Sequence, residues 1–222
     1  MNMTPILKIK NLTVTYPFGP QGKDEFKALN KISINLNAGQ ITGIVGESGA
    51  GKSTIGKAIL GLLDSPAKLV SGEIRFLGSS LVGLSESQFQ SLRGNQIGYI
   101  YQNPMTALNP VLTIGEQVIE AIEANTNMRG KKAREYAIQL LERADVSFAE
   151  DRLQKFPHQL SGGLCQRIVF AIAIAAKPKL IIADEPTTAL DVTVQQSVLQ
   201  TLIKLSQQEQ IAIILITHDI GV

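Results

Sequence analysis

Between Ile41 and Thr54 the chain reads ITGIVGESGAGKST. Ile41 to Val45 is a short apolar run of the kind a buried strand makes, and Ile55 to Leu63 is helix-like, so the glycine-spaced segment between them turns a strand into a helix. Gly46, Gly51, Lys52 and Ser53 match GxxxxGK[ST] in that context. In such a loop the glycines let the backbone fold tightly, so that successive N–H groups and the helix N-terminus point at phosphate. Lys52 adds a compact positive charge, and the Ser53 hydroxyl can ligate Mg²⁺.

The complementary chemistry lies at Leu180-Ile181-Ile182-Ala183-Asp184-Glu185, an apolar strand whose carboxyl end delivers two adjacent carboxylates. In an open α/β sheet that end is where ligands sit. Asp184 would hold Mg²⁺ through its water shell, and Glu185 would polarise the water that attacks a γ-phosphate. Two such carboxylates by themselves read as solvated loop charges; a phosphate loop in the same chain gives them a task.

Between Lys52 and Asp184 lie 131 residues, more than one strand-helix-strand unit needs. Ahead of the loop, Leu7 to Tyr16 and Lys31 to Leu36 alternate at period two and predict half-buried strands, joined through the loop Pro17 to Gly22. Glu73–Leu77 and Gln96–Tyr101 read as further strands. From Thr113 to Asp145 the period becomes helical: Ile114, Val118, Ala121 and Ile122 share one face, and Ala133, Ala137, Leu140, Leu141 and Ala144 share another. After Pro157 a Gly-Gly turn leads into an apolar helix through Ala176. A buried strand at Leu180–Ala183, an amphipathic helix at Val192–Leu205 and a β-branched run Ile211–Thr217 ending at His218 complete the outline. The predicted architecture is a parallel α/β core interrupted by a mostly helical insertion.

Composition narrows the classes. With 222 residues, 44% of them hydrophobic, the chain can bury a real core, and its length suits one large domain or one domain with a substantial insertion. Twenty-one Lys and Arg against 19 Asp and Glu leave +2, and no like-charge block exceeds Lys131-Lys132, so bulk nucleic-acid binding has no driver. The single cysteine, Cys165, points to a reducing compartment, and it is read as a small buried or interface residue. The longest apolar stretch, Ile168 to Ala176, is nine residues, too short to span a bilayer. Pro5, Lys8 and Lys10 interrupt any apolar signal region, so no secretory leader is expected.

Inside the long interval stands Leu160-Ser161-Gly162-Gly163, with Gln166 and Arg167 following at the head of a helix. With this segment between the two phosphate-site motifs, the chain resembles the ATP-binding cassette (ABC) family from about Leu7 to His218. The resemblance implies a P-loop NTPase (RecA-like) parallel-sheet core, an N-terminal antiparallel β subdomain and a helical insertion carrying the signature motif. In numbers, residues 1–222 form one nucleotide-binding domain, with 1–101 and 168–222 as core and about 102–167 as helical subdomain. It implies ATP and Mg²⁺ as cofactors. ATP is held by Tyr16 stacking on the base, by Gly46, Glu47, Ser48, Gly49, Ala50, Gly51, Lys52, Ser53 and Thr54, and across a dimer seam by Ser161, Gly162, Gly163 and Asp191 of the Ala189-Leu190-Asp191 segment. Ser53, Gln102 and Asp184 are assigned to the metal, and Glu185, His218 and Gln102 to catalysis. Phe18 and Phe26 compete with Tyr16 for the stacking role, and His158 is expected to be structural.

Two departures stand out. Leu164 occupies the position where the family signature usually has Gln, and Cys165 follows it, so a polar contact from that fifth side chain is absent. The chain also stops four residues after His218, where family members continue into further helices, so the C-terminal part is expected to be missing. Gln102-Asn103-Pro104-Met105-Thr106-Ala107-Leu108-Asn109-Pro110 with Ile114-Gly115-Glu116-Gln117, and the loop Pro17 to Lys27, resemble the ATPase subunits of bacterial peptide and nickel importers. That implies two permease subunits, a second ATPase subunit, an extracytoplasmic solute-binding protein acting indirectly, no nucleic acid, and a peripheral place on the cytoplasmic face of the membrane. Peptides, nickel and metal chelates stay open as cargo. The alternatives are a soluble DNA-repair or translation cassette, which would show long coiled coils or tandem cassettes, and an inactive partner cassette, against which Lys52, Glu185 and His218 speak.

Overall fold

The structure, a computed structural model, describes residues 5–19, 23–188 and 190–219. β1 (Leu7–Phe18) and β2 (Asp24–Leu36) form a long antiparallel hairpin. β3 (Ile41–Val45) then runs into the glycine loop and α1 (Lys52–Leu60). β4 (Lys68–Phe76) returns to pair with β1 and is followed by the short β5 (Ser79–Ser80), completing a four-stranded antiparallel sheet in the order β2-β1-β4-β5. After α2 (Glu86–Leu92) comes β6 (Ile97–Ile100), and then a helical block of α3 (Pro104–Ala107), α4 (Ile114–Asn125), α5 (Lys131–Arg143) and α6 (Ala149–Arg152). α7 (Gly162–Ile174), β7 (Leu180–Asp184), α8 (Val192–Glu209) and β8 (Ala212–Thr217) follow. The second sheet, β3-β8-β7-β6, is parallel throughout.

Apart from the half-exposed edge strand β3, the parallel sheet is buried on both faces, which is why β6, β7 and β8 read as continuous apolar runs. Along β7 the side chains alternate between two clusters. Leu180 and Ile182 join Ile55, Ile59, Ile74 and Phe76 under the antiparallel sheet, whereas Ile181 and Ala183 join Val118, Leu140, Phe170 and Leu202 under the helices. The helical faces expected from the sequence are the packed ones: Ala133, Ala137, Leu140, Leu141 and Ala144 are fully buried, as are Ile114, Val118 and Ile122, with Ala121 only partly so.

The hairpin is longer than the alternation predicted. Pro17 and Phe18, expected in a loop, pair with Glu25 and Asp24. The pairing of β1 with β4 ends at Thr15, so Pro17 has a neighbour on one side only, where its missing N–H is tolerated. Of the predicted loop, residues 20–22 lie outside the described residues. α1 starts three residues earlier than expected, at Lys52, and Gly162 and Gly163 are not a turn ahead of α7 but its first two residues, behind Ser161 as N-cap. α2 gave no signal beyond its capping box of Ser85 with Gln88, since only Phe89 is buried on it. Leu108 to Thr113 is shaped by Gln117, whose amide donates to the Asn109 and Leu112 carbonyls at 3.0 and 3.1 Å and accepts from Asn109 N–H at 2.8 Å.

α7 crosses α8 closely at its glycines. A Cβ on Gly163 would stand 2.6 Å from Val194 Cγ1, and one on Gly162 would stand 3.1 Å from Leu190 Cδ2. Gly163→Ala should therefore lower stability by about 1–3 kcal/mol in chemical denaturation, the usual cost of overpacking, and Val194→Ala in that background should recover part of it. An unchanged midpoint would show that the two helices separate freely.

Candidate functional site

Because the four strands run parallel, their carboxyl ends meet along one edge. β3 ends in the phosphate loop, β8 in Thr217 and His218, β7 in Asp184 and Glu185, and β6 in Tyr101 and Gln102. At this edge a cavity of about 370 Å³ is lined by Ser48, Gly49, Gly51, Lys52, Ser53, Thr54, Gln102, Asp184 and Glu185, with Tyr16, Phe26 and Ala28 as its other wall. A larger groove, about 760 Å³, lies along α4 beside Glu116, Glu120 and Arg134, but it has no comparable set of anion donors.

The loop is conditioned by backbone sterics. Gly49 and Gly51 have φ of 81° and 86°, and a Cβ on Gly51 would come 2.2 Å from the Ala28 carbonyl oxygen, so Gly51 is required twice over. α1 begins without a side-chain cap and without an acidic residue in its first turn. Its leading N–H groups and its dipole are therefore available to an anion. Lys52 is nearly buried and donates to the Gly46 and Glu47 carbonyls at 2.8 Å each. Gly46 and Glu47 thus serve the site through carbonyls, and Ala50 closes the turn by donating to Glu47 O.

Glu185 sits where the strand breaks. Its φ is 48°, a left-handed backbone for a residue with a side chain, held by an N–H bond of 2.8 Å to Ile216 O. Strain of this kind concentrates at functional sites. Two donors converge on Oε2, Gln102 Nε2 and Thr188 Oγ1 at 3.1 Å each, and His218 Nδ1 lies 3.2 Å from the same oxygen. Oε1 lies 4.0 Å from Lys52 Nζ. The Asp184 carboxylate is equally engaged, accepting from Ser53 Oγ at 3.0 Å and from the Tyr99 phenol at 2.7 Å. Burial, and then the Asp184 carboxylate, push the Tyr99 phenol far above its ordinary pKa.

Ser53 Oγ and Asp184 Oδ1 form a hard-oxygen pair, the donor type that a small divalent cation takes. Among the described residues no group of three His, Cys, Asp or Glu could hold a metal without help, so such an ion would draw its other ligands from phosphates and water. At the aromatic wall, Tyr16 pairs directly with Phe26 across the hairpin, and both line the cavity, whereas the exposed Phe18 does not.

Ser161, Gly162, Gly163 and Asp191 are not brought to this cavity. Ser161 caps α7 by accepting from Leu164 N–H at 3.4 Å, and Asp191 caps α8 by accepting from Val194 N–H at 3.0 Å. The two caps belong to neighbouring helix starts, with Leu190 against Gly162. Ala189 lies outside the described residues. Leu164 packs partly buried against the helical cluster. Cys165 is fully buried and donates to Pro157 O at 3.5 Å, and burial raises its thiol pKa. His158 stacks on Phe156 at 5.7 Å. Thr188 and Tyr99 escaped the sequence reading: a threonine in a turn and a tyrosine in a strand are ordinary there, and only the fold shows what they touch.

No helix among the described residues is long and apolar enough to cross a membrane. The dipeptide transport ATP-binding protein DppD of Escherichia coli (strain K12) is 43% identical over 216 residues, 97% of this chain and 65% of that protein. The oligopeptide transport ATP-binding protein AppD of Bacillus subtilis (strain 168) is 43% identical over 221 residues, 99% of this chain and 66% of that protein. The chain thus spans about two thirds of the length of these relatives. The ATP-binding cassette MJ0796, solved as a dimer in a post-hydrolysis state bound to ADP and Pi, superposes with a TM-score of 0.81 at 32% identity, covering 97% of this chain and 89% of that one. The family model described as ABC transporter matches residues 29–188, from Leu29 on β2 through both phosphate-site motifs to Thr188, and the chain belongs to that family.

Proposed function

We propose that this chain is the ATPase subunit of a bacterial ABC importer, binding and hydrolysing MgATP to drive uptake of peptides through two partner permeases supplied by an extracytoplasmic solute-binding protein. One observation supports it above others: Lys52, Ser53, Gln102, Asp184 and Glu185 converge on one cavity, while Ser161 to Gly163 stand outside it. The names of the relatives favour peptides over nickel or metal chelates as cargo. The subunit acts from the cytoplasmic face of the membrane. In this reading residues 102–167 form the helical subdomain, and α7 runs through its end, tying the signature to the core.

Each residue then has a task. Tyr16 takes the base, and the loop from Gly46 to Thr54 takes the phosphates, with Lys52 turning from its carbonyls toward them. Ser53 and Asp184, with Gln102, hold Mg²⁺, which neutralises charge on the β- and γ-phosphates when bound. Glu185 polarises the attacking water once its present donors give way, and His218 and Gln102 steady that arrangement. The signature and Asp191 complete the site of a second ATPase subunit packed head to tail.

Glu185→Gln should keep MgATP binding and lose about 10² to 10⁴ in turnover in the assembled transporter, the range for a lost general base. That is roughly 2.7 to 5.4 kcal/mol of barrier. Wild-type turnover would remove Glu185 from the role. Shared sites make a further demand: the rate per chain should rise with protein concentration. Lys52→Ala should weaken ATP binding in calorimetry, whereas Ser161→Arg should leave affinity intact and stop the partner-assisted rate. Mixing the two variants should restore activity, since one composite site then carries both lesions and the other neither. A concentration-independent rate in the isolated wild-type chain would sink the shared-site arrangement.

A further inference from the structure

Both oxygens of the Asp184 carboxylate are engaged, by partners of different kinds. Oδ1 accepts from Ser53 in the first turn of α1, and Oδ2 accepts from the phenol of Tyr99 on β6. Tyr99 lies beside Ile182 in the ladder, so its side chain spans the end of the neighbouring strand to reach Asp184. Its ring is confined: a Cβ on Gly56 of α1 would stand 3.4 Å from Cε2, and the Tyr101 ring packs against it edge-on with centroids 4.6 Å apart. A carboxylate held by one oxygen can turn about its terminal torsion at little cost, since that torsion is broad. Held at both, it keeps a single orientation.

We propose that Tyr99 is a positioning residue for the metal carboxylate: its hydroxyl fixes Oδ2 so that Oδ1 stays aligned with Ser53 for the cation. The inference rests on the assignment of Ser53 and Asp184 to Mg²⁺. Outer partners that orient a metal ligand typically contribute 10- to 100-fold in metal affinity. The short route Tyr99–Tyr101–Gln102 also places the Gln102 segment one ring contact away from the same carboxylate.

Tyr99→Phe removes the hydroxyl and keeps the ring. In the full chain with a non-hydrolysable ATP analogue, Mn²⁺ binding followed by electron paramagnetic resonance should weaken by about 10-fold or more. Nucleotide affinity in EDTA should stay at the wild-type value, and the melting temperature of the apo chain should fall only by the modest amount that losing one hydrogen bond to a carboxylate costs. Tyr99→Leu should show the same metal defect with an added loss of stability, and Tyr99→Phe should cost nothing further in an Asp184→Asn background. Unchanged Mn²⁺ affinity in Tyr99→Phe, beside a clear loss in Asp184→Asn, overturns this inference and leaves the site reading standing. Equal losses with and without metal overturn it in favour of simple packing. If Asp184→Asn itself leaves Mn²⁺ affinity unchanged, the metal assignment fails and the role of Tyr99 with it.

Discussion

The register of four parallel strands is the constraint on which the site depends. Val45 stands opposite Thr217, Ile216 opposite Asp184, and Ala183 opposite Ile100. Those pairings put the phosphate loop, the acidic pair, His218 and Gln102 at one edge although they come from four separated parts of the chain. Side chains alternate along a strand, so a slip of one residue in β7 would turn Ile182 and Asp184 together to the other face. The two apolar clusters forbid it: Leu180 and Ile182 belong to one, Ile181 and Ala183 to the other, and exchanging them would disturb both cores at once.

At the end of β7 the constraint turns into chemistry. The Glu185 N–H still bonds to Ile216 O, but its left-handed backbone diverts the chain from the strand and presents the carboxylate to the cavity. A carboxylate only 17% exposed needs donors, and Gln102 and Thr188 supply them, with His218 Nδ1 close by. Lys52 meets the same demand by folding over its own loop onto two carbonyls. Every strong charge at the edge is thus satisfied within the chain. In the proposed function, a phosphate entering the cavity would compete with the two loop carbonyls for the Lys52 ammonium.

How much of this was legible in the sequence depended on whether the chemistry was local. The glycine loop and the strand ending in Asp184 and Glu185 each have a meaning within a few residues, so their place could be read directly. Tyr99 could not: in β6 it looks like one more β-forming residue, and its hydroxyl acquires a role only because Asp184 lies two strand positions beyond its ladder partner Ile182. Thr188 is similar, since Ser and Thr in turns are usually satisfied by nearby backbone. Boundaries failed where turn residues took helical or strand roles. Gly162 and Gly163 look locally like a turn, yet they are the first turn of α7, where close approach to Val194 and Leu190 leaves no room for larger residues. Pro17 has the local character of a loop residue, yet it sits in a ladder with one open side.

That close approach explains why the signature cannot act as a loop. Ser161 caps a helix whose body is fully buried at Cys165, Ile168, Phe170 and Ala171, and whose Arg167 donates to Asp145 O at 2.7 Å and to Ser197 Oγ at 2.6 Å. Asp145 in turn accepts from Thr201 and Lys204 of α8. Asp145, just past the end of α5, therefore ties α7 to α8, and Ser161 at the head of α7 is held by the same packing. Its distance from the chain's own phosphate loop is set by core packing, at a cost of several buried contacts to alter. A loop could close on its own nucleotide; a helix start anchored this way can meet a phosphate only when a whole body is brought to it.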